Sequence, residues 1–207
     1  MDTLKNIQIE ARSLGKRFGR LKVFSGVTFS AETGDSLALT GPNGSGKSTL
    51  LEIACGLQEP SAGAVMSTID GAPVPPAALI ALAGVASPRC NPYNELTGVE
   101  NIDFVLRSRG ARGASTVGLV ERFGLDGHIR RQVRQYSTGM KQRLKLILAA
   151  LLDPPLLILD EPGSNLDEDG RERFFNYIEE VRQRKLIIIA TNDPAEESLC
   201  RGKVRLV

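Results

Sequence analysis

Only three cysteines and one histidine occur among 207 residues, and neither sign of charge is in excess. Cys55, Cys90 and Cys200 are odd in number and widely spaced, which fits neither a disulfide framework nor a zinc site and predicts free thiols in a reducing cytoplasm. Twenty-six basic against twenty-four acidic residues leave +2, too balanced to predict broad contact with nucleic acid or anionic lipid, so no nucleic-acid partner is expected. No apolar run approaches the ~18 residues of a membrane-spanning helix. The opening MDTLKNIQIEARSL lacks the basic flank and apolar core of a signal peptide. The chain is therefore expected to be soluble by itself, with any membrane role reached through a partner. Internal repeats and low-complexity linkers are missing too. What remains is an ordinary globular composition, 42% hydrophobic and 24% charged, at a length that can bury one substantial core with or without a small appended subdomain.

Leu37 to Leu51 reads LALTGPNGSGKSTLL, and Gly41 to Ser48 fits the phosphate-binding pattern G-x-x-x-x-G-K-[ST]. Gly41, Gly44 and Gly46 permit positive φ, so that successive N–H groups can converge on phosphate oxygens. Lys47 supplies a cation for the β- and γ-phosphates, and the Ser48 hydroxyl can sit on Mg²⁺. The helix opened by Lys47 points its positive dipole end at the same anion. Asn43, Ser45 and Thr49 complete the candidate nucleotide-binding stretch.

Ile7 to Leu14 and Val27 to Ala31 alternate in the strand manner on either side of a KRFGRLK turn, which predicts an antiparallel β-layer. Strands are expected at Ser36 to Thr40, Ala64 to Ile69 and Gly84 to Ser87. The prolines at 73, 75 and 76 break the chain before a short helix at Ala77 to Leu82. From Pro88 to Gln135 the character becomes helical, with Val99 to Arg109 and Ser115 to Phe123 as helices, followed by Thr138 to Leu152. Leu156 to Leu159 and Leu186 to Ala190 are continuous apolar runs, the pattern of parallel strands buried on both faces. Asp167 to Arg184 reads as an amphipathic helix, Ala195 to Leu199 as a short one, and Lys203 to Leu206 as the last strand. The fold class is α/β, with a parallel sheet around the phosphate loop, an antiparallel β-layer at the N-terminus and an inserted helical subdomain.

The run LLILDEP, Leu156 to Pro162, buries a strand and delivers Asp160 and Glu161 at its carboxyl end, where the phosphates must lie. Asp160 can hold Mg²⁺ through its water shell, and Glu161 can orient or deprotonate an attacking water.

With GPNGSGKST at 41–49, YSTGMKQR at 136–143, LLILDEP at 156–162 and SNLD at 164–167, the chain resembles the ATP-binding cassette ATPases over essentially its whole length. The resemblance implies one nucleotide-binding domain, 1–207, with 1–87 and 154–207 as core and β-layer and 88–153 as helical subdomain. It implies ATP and Mg²⁺ as cofactors. YSTGM stands where the family has LSGGQ, so Ser137, Gly139 and the amides opening the next helix would contact the γ-phosphate of ATP bound to an opposite subunit. Thr138 and Met140 depart from that pattern. Phe18 sits at the family's adenine-stacking aromatic, with a core or turn phenylalanine as the plainer alternative. Asp167 matches the loop aspartate that links the two sites of a head-to-tail dimer, and a helix-capping role is compatible with it.

Two departures bear on mechanism. LTGVEN at 96–101 matches the family, but the segment before it is ASPRCNPYNE, with Pro88 or Arg89 near the place of a γ-phosphate-sensing glutamine. The resemblance also implies a switch histidine after the last buried strand, and ATND places Asn192 there. Asn192 can donate a hydrogen bond to a γ-phosphate oxygen but can neither carry charge nor accept a proton, so slow hydrolysis led by Glu161, with Lys47 and Asn192, is expected. Arg89 either reaches the phosphates in the glutamine's stead or is a surface arginine. His128, the one histidine, is expected to be solvated at the surface.

The resemblance is to nucleotide-binding subunits of membrane transporters, among them small exporter-type subunits such as the haem exporter ATPase of cytochrome c maturation. It implies separate membrane-spanning permease subunits, a homodimer or homologous ATPase partner formed on ATP binding, and a peripheral place at the inner, cytoplasmic face of the cell membrane. The surface around Pro88 to Asn101, with Tyr93, Leu96 and Val99, would dock a cytoplasmic helix of the permease. A soluble cassette ATPase in assembly or translation, or a weakly hydrolysing nucleotide switch, are the alternatives.

Overall fold

The computed structural model describes residues 5–111 and 116–207. A long hairpin, β1 (Ile7–Phe18) and β2 (Leu21–Glu32), leads to β3 (Ser36–Thr40) and helix α1 (Lys47–Ala54). Strands β4 (Ala62–Ile69), β5 (Ala72–Val74) and β6 (Ala83–Ala86) follow, then helices α2 (Gly98–Ser108), α3 (Val117–Arg122) and α4 (Thr138–Ala150). The chain finishes with β7 (Leu156–Asp160), α5 (Glu168–Val181), β8 (Leu186–Thr191), α6 (Pro194–Ser198) and β9 (Gly202–Arg205). Among the described residues these strands make two sheets: an antiparallel one in the order β2-β1-β4-β5 and a parallel one in the order β6-β7-β8-β3-β9.

The apolar runs explain the layering. Every residue of β3, β7 and β8 is buried, and their side chains alternate between two cores. Leu157, Leu159, Ile187 and Ile189 face a cluster shared with α4, α5 and the helical segment. Leu156, Ile158, Leu186 and Ile188 face the opposite cluster, closed by α1 and the antiparallel sheet. The parallel sheet is thus the middle layer, as a sheet buried on both faces must be. Gly84 in β6 marks its closest contact with the helical segment. A Cβ there would lie well inside van der Waals distance of the Ala149 carbonyl oxygen, so glycine lets α4 press directly on the strand.

Several expected boundaries shift, each for a physical reason. KRFGRLK is mostly strand: the hairpin turns only at Gly19 and Arg20, with Gly19 at φ 57°. Register shifts between Ala11 and Arg17, with Ser13 at φ 49°, break the alternation that marks a strand. Residues Ala72–Val74 form an edge strand despite Pro73, because an edge can spare one N–H. The expected helix at Ala77 to Leu82 is a 3₁₀ segment, Pro76–Leu82. Helix α4 stops at Ala150, and Leu152 and Asp153 turn the chain through left-handed φ of 61° and 49°. Ser115, expected to open a helix, lies outside the described residues. Among the described residues, no helix is long and apolar enough to cross a membrane.

Candidate functional site

The phosphate loop leaves the carboxyl end of β3 and runs into α1. Gly41, Gly44 and Gly46 take φ of 146°, 82° and 97°. At Gly41 a Cβ would also meet the Leu206 carbonyl oxygen at 2.6 Å and Ser45 Oγ at 2.7 Å, so glycine is required by contact as well as by backbone angle. Lys47 is buried, and its Nζ donates to the carbonyls of Gly41 at 2.9 Å and Pro42 at 3.2 Å. Its charge is therefore held at the loop by main-chain oxygens. Ser45 Oγ is buried and, among the described residues, has no hydrogen-bond partner. A cradle of loop amides with a fixed ammonium and an unsatisfied hydroxyl fits a polyphosphate anion.

The Ser48 side chain stands beside the Asp160 carboxylate, where α1 meets the end of β7. Burial pushes the Asp160 pKa up, Glu161 and Glu52 add to that, and the Ser48 side chain and Lys47 charge oppose it. A carboxylate that burial disfavours as an anion gains most from a cation beside it. These hard oxygen donors fit Mg²⁺, with Ser48 and Asp160 as the residues that would hold it.

Strand order brings the rest together. β8 lies between β7 and β3, with Asp160 paired to Ala190 and Thr40 to Thr191. Asn192 therefore emerges between the phosphate loop and the two acids, and its Nδ2 donates to Asn43 Oδ1 at 2.9 Å. Glu161 donates its N–H to the Ala190 carbonyl at 2.8 Å and sits at φ 49°. A left-handed glutamate costs on the order of 1 kcal/mol and is a strain found at functional turns. So the structure gathers Gly41 to Ser48, Asp160, Glu161 and Asn192 at one end of the sheet.

It does not gather Ser137, Gly139 and Asp167 there. Ser137 caps α4, accepting the Met140 N–H at 3.2 Å, and Asp167 caps α5, accepting the Gly170 N–H at 3.0 Å. Both residues are exposed, and with half-buried Gly139 they line a separate cavity of about 370 Å³. Gly139 allows a close pass by the Asn165 carbonyl, 2.9 Å from where a Cβ would stand. Phe18 ends β1 at the hairpin tip, half exposed, with Lys16 Nζ 5.0 Å over its ring. That position rules out a core phenylalanine and leaves a ring face available for stacking.

Arg89 lies against α1, where its Nη1 meets Glu52 Oε1 at 2.6 Å. Glu52, one helical turn after Ser48, was not singled out by any motif. Nor was Arg143, buried beneath the second cavity, which pairs with Asp167 and, at 3.0 Å, with Asp169. Its place in YSTGMKQR was the only signal. His128 departs from expectation: it is half-buried beside Ser137 and Gly139, and among the described residues its buried Nδ1 has no partner. The 125–136 segment folds back over it, with Tyr136 Oη donating to the His128 carbonyl at 3.0 Å.

Comparison with known proteins agrees with this arrangement. The family described as ABC transporter matches residues 24–164. The cytochrome c biogenesis ATP-binding export protein CcmA of Brucella abortus is 35% identical over 190 residues, covering 91% of this chain and 86% of its own length. The uncharacterized ABC transporter ATP-binding protein YdbJ of Bacillus subtilis is 35% identical over 198 residues, covering 93% of this chain, which spans only 64% of that relative. A bacterial ABC transporter cassette solved as a dimer superposes with a TM-score of 0.81 at 23% identity, over 96% of this chain and 94% of its own. Phosphate loop, acid pair and sheet order, together with these matches, show that the chain belongs to the ABC transporter family as an ATP-binding cassette.

Proposed function

We propose that this chain binds and hydrolyses ATP to power a membrane transporter, through ATP-driven closure of a dimer at the cytoplasmic face of the cell membrane. The observation that carries this reading is the separation of the two half-sites. The phosphate loop, Asp160, Glu161 and Asn192 stand together, while Ser137 and Gly139 present an exposed helix N-terminus elsewhere. One copy thus offers a nucleotide cradle and, apart from it, a second anion-binding element that a γ-phosphate held by a partner would complete. A homodimer or a homologous partner satisfies this equally, and the solved dimer of a similar cassette supports it.

In the closed state Lys47 exchanges carbonyl partners for β- and γ-phosphate oxygens, and the loop amides hold the same groups. Mg²⁺, held by Ser48 and Asp160, would neutralise charge on the phosphates. Glu161 accepts a proton from the attacking water or orients it, and Asn192 donates a hydrogen bond to a γ-phosphate oxygen. Because Asn192 is neutral, turnover is slow. Phe18 offers a stacking face to adenine, and Asp167 links the two sites.

The permease would dock beside α2. Tyr93 and Phe104 meet edge to face at 5.1 Å between ring centres and, with Pro92 and Leu148, line a cavity of about 210 Å³. Tyr93, Phe104 and Val99 are all exposed, whereas Leu96 is partly covered. The names of CcmA and the Nod factor export ATP-binding protein I favour an exporter. Replacing Glu161 by glutamine should leave ATP bound and trap a dimer visible by size-exclusion chromatography. Unchanged turnover in that variant would remove Glu161 from the mechanism. Copurification with a polytopic membrane protein tests the transporter role, and repeated isolation without one would favour a soluble cassette.

A further inference from the structure

Glu196 belongs to α6, just beyond the Asn192 loop, and is only 2% exposed. Its Oε1 accepts the Gly163 N–H at 2.7 Å, and the Thr191 side chain stands near the same carboxylate. Among the described residues, Oε2 has no partner. Burying a carboxylate with an unsatisfied oxygen is costly, and a well-packed apolar side chain would serve packing better. Something other than packing must account for this group.

Its surroundings say what. Gly163 lies two residues after Glu161, and Thr191 immediately precedes Asn192. One carboxylate on α6, four residues past Asn192, therefore ties the segment that presents Asn192 to the main chain just past Glu161. Gly163 does not have a positive φ, so the turn itself does not demand glycine. Glu196 narrows the choice: a Cβ on residue 163 would collide with Oε1, so a larger residue is admitted only if the carboxylate moves. The far side of Asn192 is fixed as well. Asp193 accepts the Ala195 N–H at 2.8 Å and pairs with Arg171 at 2.5 Å, anchoring the loop to α5.

We propose that Glu196, with Gly163, is a positioning residue for ATP hydrolysis that sets the spacing between Glu161 and Asn192. This rests on the hydrolytic reading above. The phosphate loop is not part of the tie, so its loss should act on the chemical step and leave nucleotide binding alone.

The test is steady-state hydrolysis of Mg-ATP by the full chain, with turnover expressed per nucleotide-binding site. Glu196→Ala should lower kcat by about tenfold to a hundredfold, the range for a misplaced catalytic group, with KM changed by less than about twofold. Glu196→Gln keeps a carbonyl oxygen that can accept the Gly163 N–H and should restore most of the activity. Gly163→Ala should reproduce the loss by displacing the carboxylate, and adding it to Glu196→Ala should cost nothing more. Wild-type kcat in Glu196→Ala or Gly163→Ala, a loss that appears in KM alone, or no rescue by glutamine would overturn the proposal. Should Glu196→Ala fail to fold, Gly163→Ala and Glu196→Gln decide it. Failure of the wild-type chain to hydrolyse Mg-ATP would refute the hydrolytic reading itself, a separate result.

Discussion

Replacing Arg143 by methionine removes a guanidinium while keeping most of its stem volume. Arg143 is 9% exposed and makes three contacts through its head group: the Phe123 carbonyl at 3.3 Å, Asp167, and Asp169 at 3.0 Å. The loss at the carbonyl is worth about 1 kcal/mol. Both carboxylates are well exposed and recover hydration; the Asp167 pair contributes less than about 1 kcal/mol, and the fully solvated Asp169 is left out of the sum. The sum is about 1–2 kcal/mol, or a fall in Tm of about 2–8 °C for a chain this size. The pH dependence sharpens the test. The hydrogen bond from Arg143, and then that from the Gly170 amide, hold the Asp167 pKa below its ordinary value. A carboxylate with a lowered folded pKa stabilises the fold above the unfolded value, about 3.9, and that stabilisation is lost as pH falls through the folded value. The wild-type advantage over Arg143→Met, followed by thermal and urea denaturation, should therefore be full near pH 7 and shrink as pH drops below about 4. A Tm within about 1 °C of wild type, or a difference that does not change with acid, would refute this account of the contact.

Gly84→Ala should destabilise the chain by about 3 kcal/mol or more, because the new Cβ meets the Ala149 main-chain oxygen and neither β6 nor α4 can retreat without opening a core. A urea midpoint equal to that of the wild type would show that the layers are looser than described. Arg89→Ala should leave turnover within about twofold of wild type, since Arg89 is solvent-exposed and its ion pair with the partly covered Glu52 is screened from the solvent side. A larger fall in turnover would place Arg89 at the phosphates after all.

The parts of the site visible in the sequence are those made from neighbouring residues. GPNGSGKS and LLILDEP each specify a local conformation and a chemistry within a few positions. The buried strands were legible for a related reason, since an unbroken apolar run has few other uses. The ties between such pieces were not. Gly163 and Glu196 are 33 positions apart, and Asn192 and Asn43 are 149 apart, so only the strand order brings each pair together. The hairpin was underestimated because its bulges scramble the two-residue period, and the half-buried position of His128 follows from a loop that no short pattern announces.

The central place of β8 has a consequence for how such a site can change. Glu161 and Asn192 directly follow β7 and β8, and the phosphate loop follows β3, three neighbouring strands levelled by main-chain hydrogen bonds that do not depend on which side chains are present. Sliding β8 by one residue would move Asn192 by about 3.3 Å and turn Ile188 toward the wrong core, so the ladder acts as a ruler with a single allowed setting. Side chains beyond the ruler's end can change without moving the strands, and the tie between Glu196 and Gly163 acts only on the short segments that leave them. Position 192 can then change its side chain on an unchanged frame, and under the proposed mechanism the pace of the reaction would be tuned there while the geometry stays put.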